Sequence, residues 1–163
     1  MENIIYKPIG IIHSPFESVE GIPIQPAAAT GVFGTVELYT DFAGGLKDLE
    51  GFSHVILLYH FHLSEGYQLE VKPFLDNIKR GVFATRAPRR PNQIGLSVVK
   101  LNKVENNLLH IERIDVVNGT PLLDIKPYVP DFDRIEEIQI GWLSESKHKM
   151  SSAKSDNRFG FNL

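Results

Sequence analysis

No apolar pattern in this chain of 163 residues keeps helical spacing for the roughly dozen positions that a crossover between parallel strands requires. Short β-rich runs recur instead, punctuated by glycine, proline and asparagine. Residues 33–39 set Val36 and Leu38 on one face against Thr35, Glu37 and Tyr39 on the other, the alternation of a half-buried strand. Residues 53–62 are almost continuously apolar, which predicts a central strand covered on both faces. Residues 96–104 and 108–114 read as a hairpin turning through Glu105, Asn106 and Asn107. Further strands are expected at 4–15, bending at Gly10, at 82–85 and at 122–128. One helical turn suits 46–49, and 71–78 is either a short helix or irregular. The pattern predicts a mainly β fold: a single-domain, compact β-barrel of mostly antiparallel strands with short helices, spanning residues 1–143. From residue 144 to 163 the chain turns polar and rich in Ser and Lys. A flexible basic tail is expected there, without core contacts unless a partner or ligand orders it.

Composition removes several classes of chemistry. There are no cysteines, so disulfides, thiolate metal sites, iron–sulfur clusters and cysteine nucleophiles are excluded, and a reducing compartment is favoured. The longest apolar run, residues 55–59, falls far short of the ~20 residues a membrane helix needs, and no signal pattern opens the chain. A cytoplasmic protein with no membrane partner is expected. Neither GxGxxG nor GxxxxGK[ST] nor HExxH occurs. The net charge of −3 argues against a general nucleic-acid coat. Yet residues 72–90 carry six cations (Lys72, Lys79, Arg80, Arg86, Arg89 and Arg90) against the single acid Asp76. Such a patch either serves a phosphate backbone or is simply solvated.

Within it lies the densest segment, RAPRRPNQIG at 86–95. Pro88 and Pro91 fix their own φ and hold Ala87 and Arg90 extended, so the loop between the flanking strands is stiff. Its guanidinium groups are planar forks suited to a carboxylate or phosphate. A second dense segment, DVVNGTPLLD at 115–124, turns at Asn118-Gly119 and projects Asp115 and Asn118 to one place. Those side chains either meet a ligand or stabilise the turn by local bonds. Asp124 and Lys126 share a strand face and suit an ion pair. His54, His60 and His62 share a parity; with no third ligand group nearby in sequence, satisfied histidines are favoured over a metal site. Residues 20–34, rich in Gly, Pro and Ala, read as an ordered loop lying over something.

Taken together, IGIIHSP, GFSHVILLYHFH, GVFATRAPRRPNQIGLS and DVVNGTPLLDIKPY resemble the TsaA-like, or TrmO-like, family of S-adenosylmethionine-dependent tRNA methyltransferases. The resemblance implies a β-barrel outside the doubly wound methyltransferase fold, a homodimer, and methylation of N6 on threonylcarbamoyladenosine in the tRNA anticodon loop. It also implies cofactor contacts from Pro23, Ile24 and Gln25, from His62 and Leu63, from Arg86 and Leu96, and from Asp115, Val116, Val117 and Asn118. Arg86 is the expected partner of the cofactor carboxylate, His62 and Asp115 are the candidate bases, and Lys79, Arg80, Arg89 and Arg90 the expected RNA contacts. Where the family's turn often carries a second aspartate, Asn118 stands here. A regulator that binds the cofactor without transferring a methyl group, and an enzyme methylating a small molecule, are the alternatives, since a barrel fixes no reaction.

Overall fold

A computed structural model of the chain describes residues 3–145 and 153–159. Strands β1 (Gly10–His13), β2 (Phe33–Leu38), β3 (His54–His60), β6 (Ile94–Glu105), β7 (Leu108–Glu112) and β8 (Thr120–Pro127) close a six-stranded barrel in the order β1-β2-β7-β6-β3-β8, with β8 returning to β1. Every pairing is antiparallel. A separate two-stranded ribbon joins β4 (Glu70–Val71) to β5 (Arg80–Gly81). Alternate residues of each barrel strand point inward, so Ile12, Val36, Leu38, Val55, Leu57, Val99, Leu109, Ile111 and Leu122 fill one core. The hairpin from β6 to β7 turns where expected, with Asn106 in the left-handed region at φ 56°. No described helix is long and apolar enough to cross a membrane.

Several elements differ from the expectation. The first strand starts only at Gly10, and Ile4, Ile5 and Tyr6 before it are exposed. In β3, Val55, Leu57 and Tyr59 are buried while Ile56 and Leu58 are only half-buried, so the strand is covered on its inner face rather than on both. Its apolar continuity concealed the alternation that barrel closure imposes. Residues 82–84 form a 3₁₀ turn (Val82–Ala84) rather than a strand, held by Thr85 N–H donating to the Val82 carbonyl. The stiff loop therefore joins that turn to β6 and does not link two strands.

The C-terminal expectation also changes where the structure describes it. Within the tail, residues 153–159 pack on the protein; the remaining tail positions, apart from 144 and 145, lie outside the described residues. Ser155 is tied like a short strand to the loop before β2: Gly21 N–H donates to its carbonyl at 2.9 Å and its own N–H donates to the Ile22 carbonyl at 2.8 Å. Phe159 is 7% exposed and packs edge-on to Phe74 beside Val71, Val82 and Ala87. Arg158 donates to the Pro73 carbonyl at 2.7 Å. One large aromatic thus anchors a polar segment, which composition alone does not disclose. Phe159→Ala removes that anchor, a truncation that costs about 3 kcal/mol when the site is well packed. Trypsin should then cut at Lys154 and Arg158 many-fold faster while the β circular dichroism of the barrel is retained; unchanged cleavage would mean the segment is held by its backbone bonds alone.

Candidate functional site

The site grows from one end of the barrel. Tyr59, at an inward position near the end of β3, is 4% exposed and pairs in register with Gly95 of β6. A Cβ on Gly95 would fall within the Tyr59 ring, so glycine is required here by a close approach and not by a turn. Two residues along β6, Ser97 is fully buried beneath the ring, and Tyr59 Oη lies 3.0 Å from Ser97 Oγ. Ser97 Oγ in turn donates to Asp115 Oδ1 at 2.6 Å. Burial pushes the Asp115 carboxyl up to about 7, against the opposing pull of the Ser97 hydrogen bond, a hydrogen bond from its own backbone N–H and the Arg86 charge. Burial, and then the neighbouring Asp115 charge, push the Tyr59 phenol upward, so it stays protonated as a donor.

Beyond this buried triad opens a cavity of about 290 Å³. Four loops, strand β6 and the C-terminal segment wall it. Pro23, Ile24 and Gln25 come from the loop before β2, so that loop does lie over something. His62 and Leu63 follow β3, Arg86 and Arg90 come from the basic loop, Leu96 sits on β6, and Asp115, Val116 and Val117 follow β7. The loops are bound to each other: Gln93 Nε2 donates to the carbonyls of Ser64 at 2.8 Å and Gly66 at 3.0 Å, and Phe61 N–H to the Gln93 carbonyl at 2.8 Å. Ser64 Oγ is buried on this wall without a hydrogen-bond partner, an arrangement a ligand can complete.

Asn118 lies outside the cavity lining. Its Oδ1 accepts from Ser14 N–H, its Nδ2 donates to Glu17, and Gly119 takes the positive φ of 77° that the turn requires, so local bonds occupy this side chain. His62 follows β3 rather than ending it. Burial and the adjacent His60 lower its pKa, so it is neutral near pH 7. Its Nδ1 sits 3.4 Å from Thr120 Oγ1, which itself donates to the Val117 carbonyl. His54 and His60 occupy outward positions of β3, and no group of three metal-ligating side chains occurs among the described residues. Lys126 and Asp124 form the ion pair, at 2.8 Å.

The four cations assigned to RNA are not equivalent. Lys79 is exposed, whereas Arg80 is held by Asp76 at 2.7 Å and stacks over Trp142. Arg89 is half-buried. Arg90 faces the cavity and donates to the carbonyls of Val82 and Thr85, at 3.1 and 3.0 Å. Missed by the sequence reading were Tyr59 and Ser97, which inward parity would have marked, and Ser155, Asp156 and Phe159, which no local signal links to residues so distant along the chain.

A closed antiparallel barrel with a mixed apolar and polar cavity at one mouth places the chain in the class of small β-barrels that hold a ligand at one end. Its arginine-bearing wall and titratable carboxyl narrow that class. The chain belongs to the family of the tRNA-methyltransferase O N-terminal domain, whose model matches residues 11–134. It is 54% identical over 156 residues to a probable S-adenosyl-L-methionine-binding protein of Pyrococcus abyssi, covering 96% of this chain and 85% of that one. It is 38% identical to the tRNA (adenine(37)-N6)-methyltransferase of Rattus norvegicus over 84% of this chain and 33% of that one. The crystal structure of TrmO from Pseudomonas aeruginosa superposes with a TM-score of 0.73 at 41% identity, covering 86% of this chain and 63% of that one. This chain therefore spans most of the archaeal relative but a third of the mammalian one and under two thirds of the bacterial structure. The family match stops before the C-terminal segment that completes the cavity wall.

Proposed function

We propose that this protein is an S-adenosylmethionine-dependent tRNA methyltransferase that methylates N6 of threonylcarbamoyladenosine beside the anticodon, working as a homodimer in the cytoplasm. The observation that carries the reading is the gathering of Pro23–Gln25, His62, Arg86, Leu96 and Asp115 around one cavity in a chain of this family. The cavity suits the cofactor: Arg86 is a fork for a carboxylate, apolar side chains cover the rest of a nucleoside-sized body, and Ser64 Oγ offers an unused hydrogen bond. When bound, the cofactor supplies a methyl group on a sulfonium that leaves without acid assistance. The protein's share is then orientation and proton removal. Asp115, titrating at about 7, and neutral His62 are the two cavity groups able to take the N6 proton. In the modified adenosine that nitrogen belongs to a urea-like group, so a modest base suffices. Lys79, Arg80, Arg89 and Arg90 support the RNA assignment as one basic segment, with exposed Lys79 best disposed toward a phosphate and Arg90 toward the cavity.

Incubation with methyl-labelled S-adenosylmethionine and bulk tRNA, with and without the threonylcarbamoyl group, should place label on the modified adenosine alone. Label on another nucleoside would overturn the acceptor. Cofactor binding with no label would favour the regulator, a reading supported by the Pyrococcus relative, which is described as a probable S-adenosyl-L-methionine-binding protein and not as a transferase. Turnover in the absence of RNA would favour a small-molecule acceptor.

A further inference from the structure

The buried contacts under the cavity define a direction for one proton. Burial keeps the Tyr59 phenol protonated, and its hydroxyl faces Ser97 Oγ at 3.0 Å. Ser97 spends its only hydrogen on Asp115 Oδ1 at 2.6 Å, so toward Tyr59 it offers a lone pair and Tyr59 is the donor. The chain runs Tyr59 Oη–H to Ser97 Oγ–H to Asp115 Oδ1. Ser97 is fully buried and Tyr59 is 4% exposed, its ring packed over Gly95, so the two hydroxyls are each other's neighbours in a largely closed site.

We propose that Ser97 is a positioning residue: fixed by Tyr59, its hydroxyl occupies Asp115 Oδ1 and leaves Oδ2 as the atom on which this carboxyl takes up and releases its proton. The inference rests on the functional reading above for its relevance to methyl transfer. The pair assigns one oxygen to the barrel and the other to chemistry at the cavity. The other charged or titratable groups lining the cavity with Asp115 are Arg86 and Arg90 from the basic loop, His62 beyond β3 and Asp156 from the C-terminal segment. Asp156 is bound by Arg158 at 2.6 Å, and Arg90 by two carbonyls, so Arg86 is the charge among them that acts on Asp115 directly. Ser97 differs from all of these because it acts through a hydrogen bond to the ionised form and carries no charge.

The test follows the Asp115 side-chain carboxyl by carbon-detected NMR titration of the full chain, alongside the pH profile of methyl transfer. Ser97→Ala removes a hydrogen bond to the carboxylate and should move the Asp115 midpoint upward by about one pH unit or more. Ser97→Thr, which keeps the hydroxyl, should hold it near the wild-type value. Tyr59→Phe should move it upward by less, since Ser97 then loses only its orientation. The alkaline-rising limb of methyl transfer should follow the NMR midpoint in each variant. An unmoved midpoint in folded Ser97→Ala overturns the positioning role, as does a moved midpoint that the rate profile ignores. Wild-type protein that transfers no methyl at any pH would strike the functional reading alone, because the NMR titration requires neither cofactor nor tRNA.

Discussion

Gly95→Ala should cost about 3 kcal/mol of folding stability and remove cofactor binding. The added carbon has no free volume to enter: it meets the Cε2, Cζ and Cδ2 atoms of Tyr59, a ring already 4% exposed and packed at the barrel mouth. Overpacking of this kind forces a side chain off its rotamer or a strand out of register, at roughly 1–3 kcal/mol and occasionally more. A displaced Tyr59 also loses Ser97, so damage reaches Asp115 on the cavity wall. Urea denaturation gives the stability and calorimetry the binding. The decisive comparison is Gly95→Ala in a Tyr59→Leu background, where the clash is gone and the alanine should cost under about 1 kcal/mol, so the pair is strongly non-additive. An equal cost in both backgrounds would mean that the ring is not what excludes a side chain.

Asp115→Asn should change how stability depends on pH. Folding lifts this carboxyl from an ordinary 3.8 to about 7, chiefly because burial disfavours its charge. Between those two values the folded protein holds a proton that the unfolded chain has lost. Stability therefore falls as pH climbs through that window and levels off above it. The asparagine variant lacks this loss. Its melting temperature should match the wild type near pH 4 and exceed it by roughly 8–16 °C at pH 8, from a difference on the order of 4 kcal/mol. Thermal melts across pH 4–8 decide the matter; parallel curves would show that Asp115 titrates in the folded protein as it does in the unfolded chain. Methyl transfer by the same variant should fall steeply if Asp115 takes the N6 proton, and only mildly if His62 does.

The barrel was legible because its closure needs only short strands with alternating faces, and residues 33–39 and the hairpin through Asn106 display both plainly. Residues 53–62 misled for a physical reason: the outward Ile56 and Leu58 are half-buried, so apolar residues occupy both parities. At 82–85 the β-forming composition was overridden by the need to turn the chain beneath Arg90, whose guanidinium caps the Val82 and Thr85 carbonyls. Much of the site was visible as dense segments, but their meaning divided. Asp115 and Asn118 looked equivalent in sequence; the fold buries one against Ser97 and spends the other on Ser14 and Glu17. Ser97 shares the inward parity of Val99 and Leu101, but what its hydroxyl bonds is known only once its cross-strand neighbours are known.

The C-terminal segment gives the binding site a schedule. All six barrel strands are complete by Pro127, and domains generally acquire structure from the N-terminal side as they are synthesised. Ser155, Asp156 and Phe159 are translated last among the described cavity residues, so a nascent barrel stands with one wall missing until they emerge. A chain cut before Ser155 would carry all six barrel strands with an unfinished pocket.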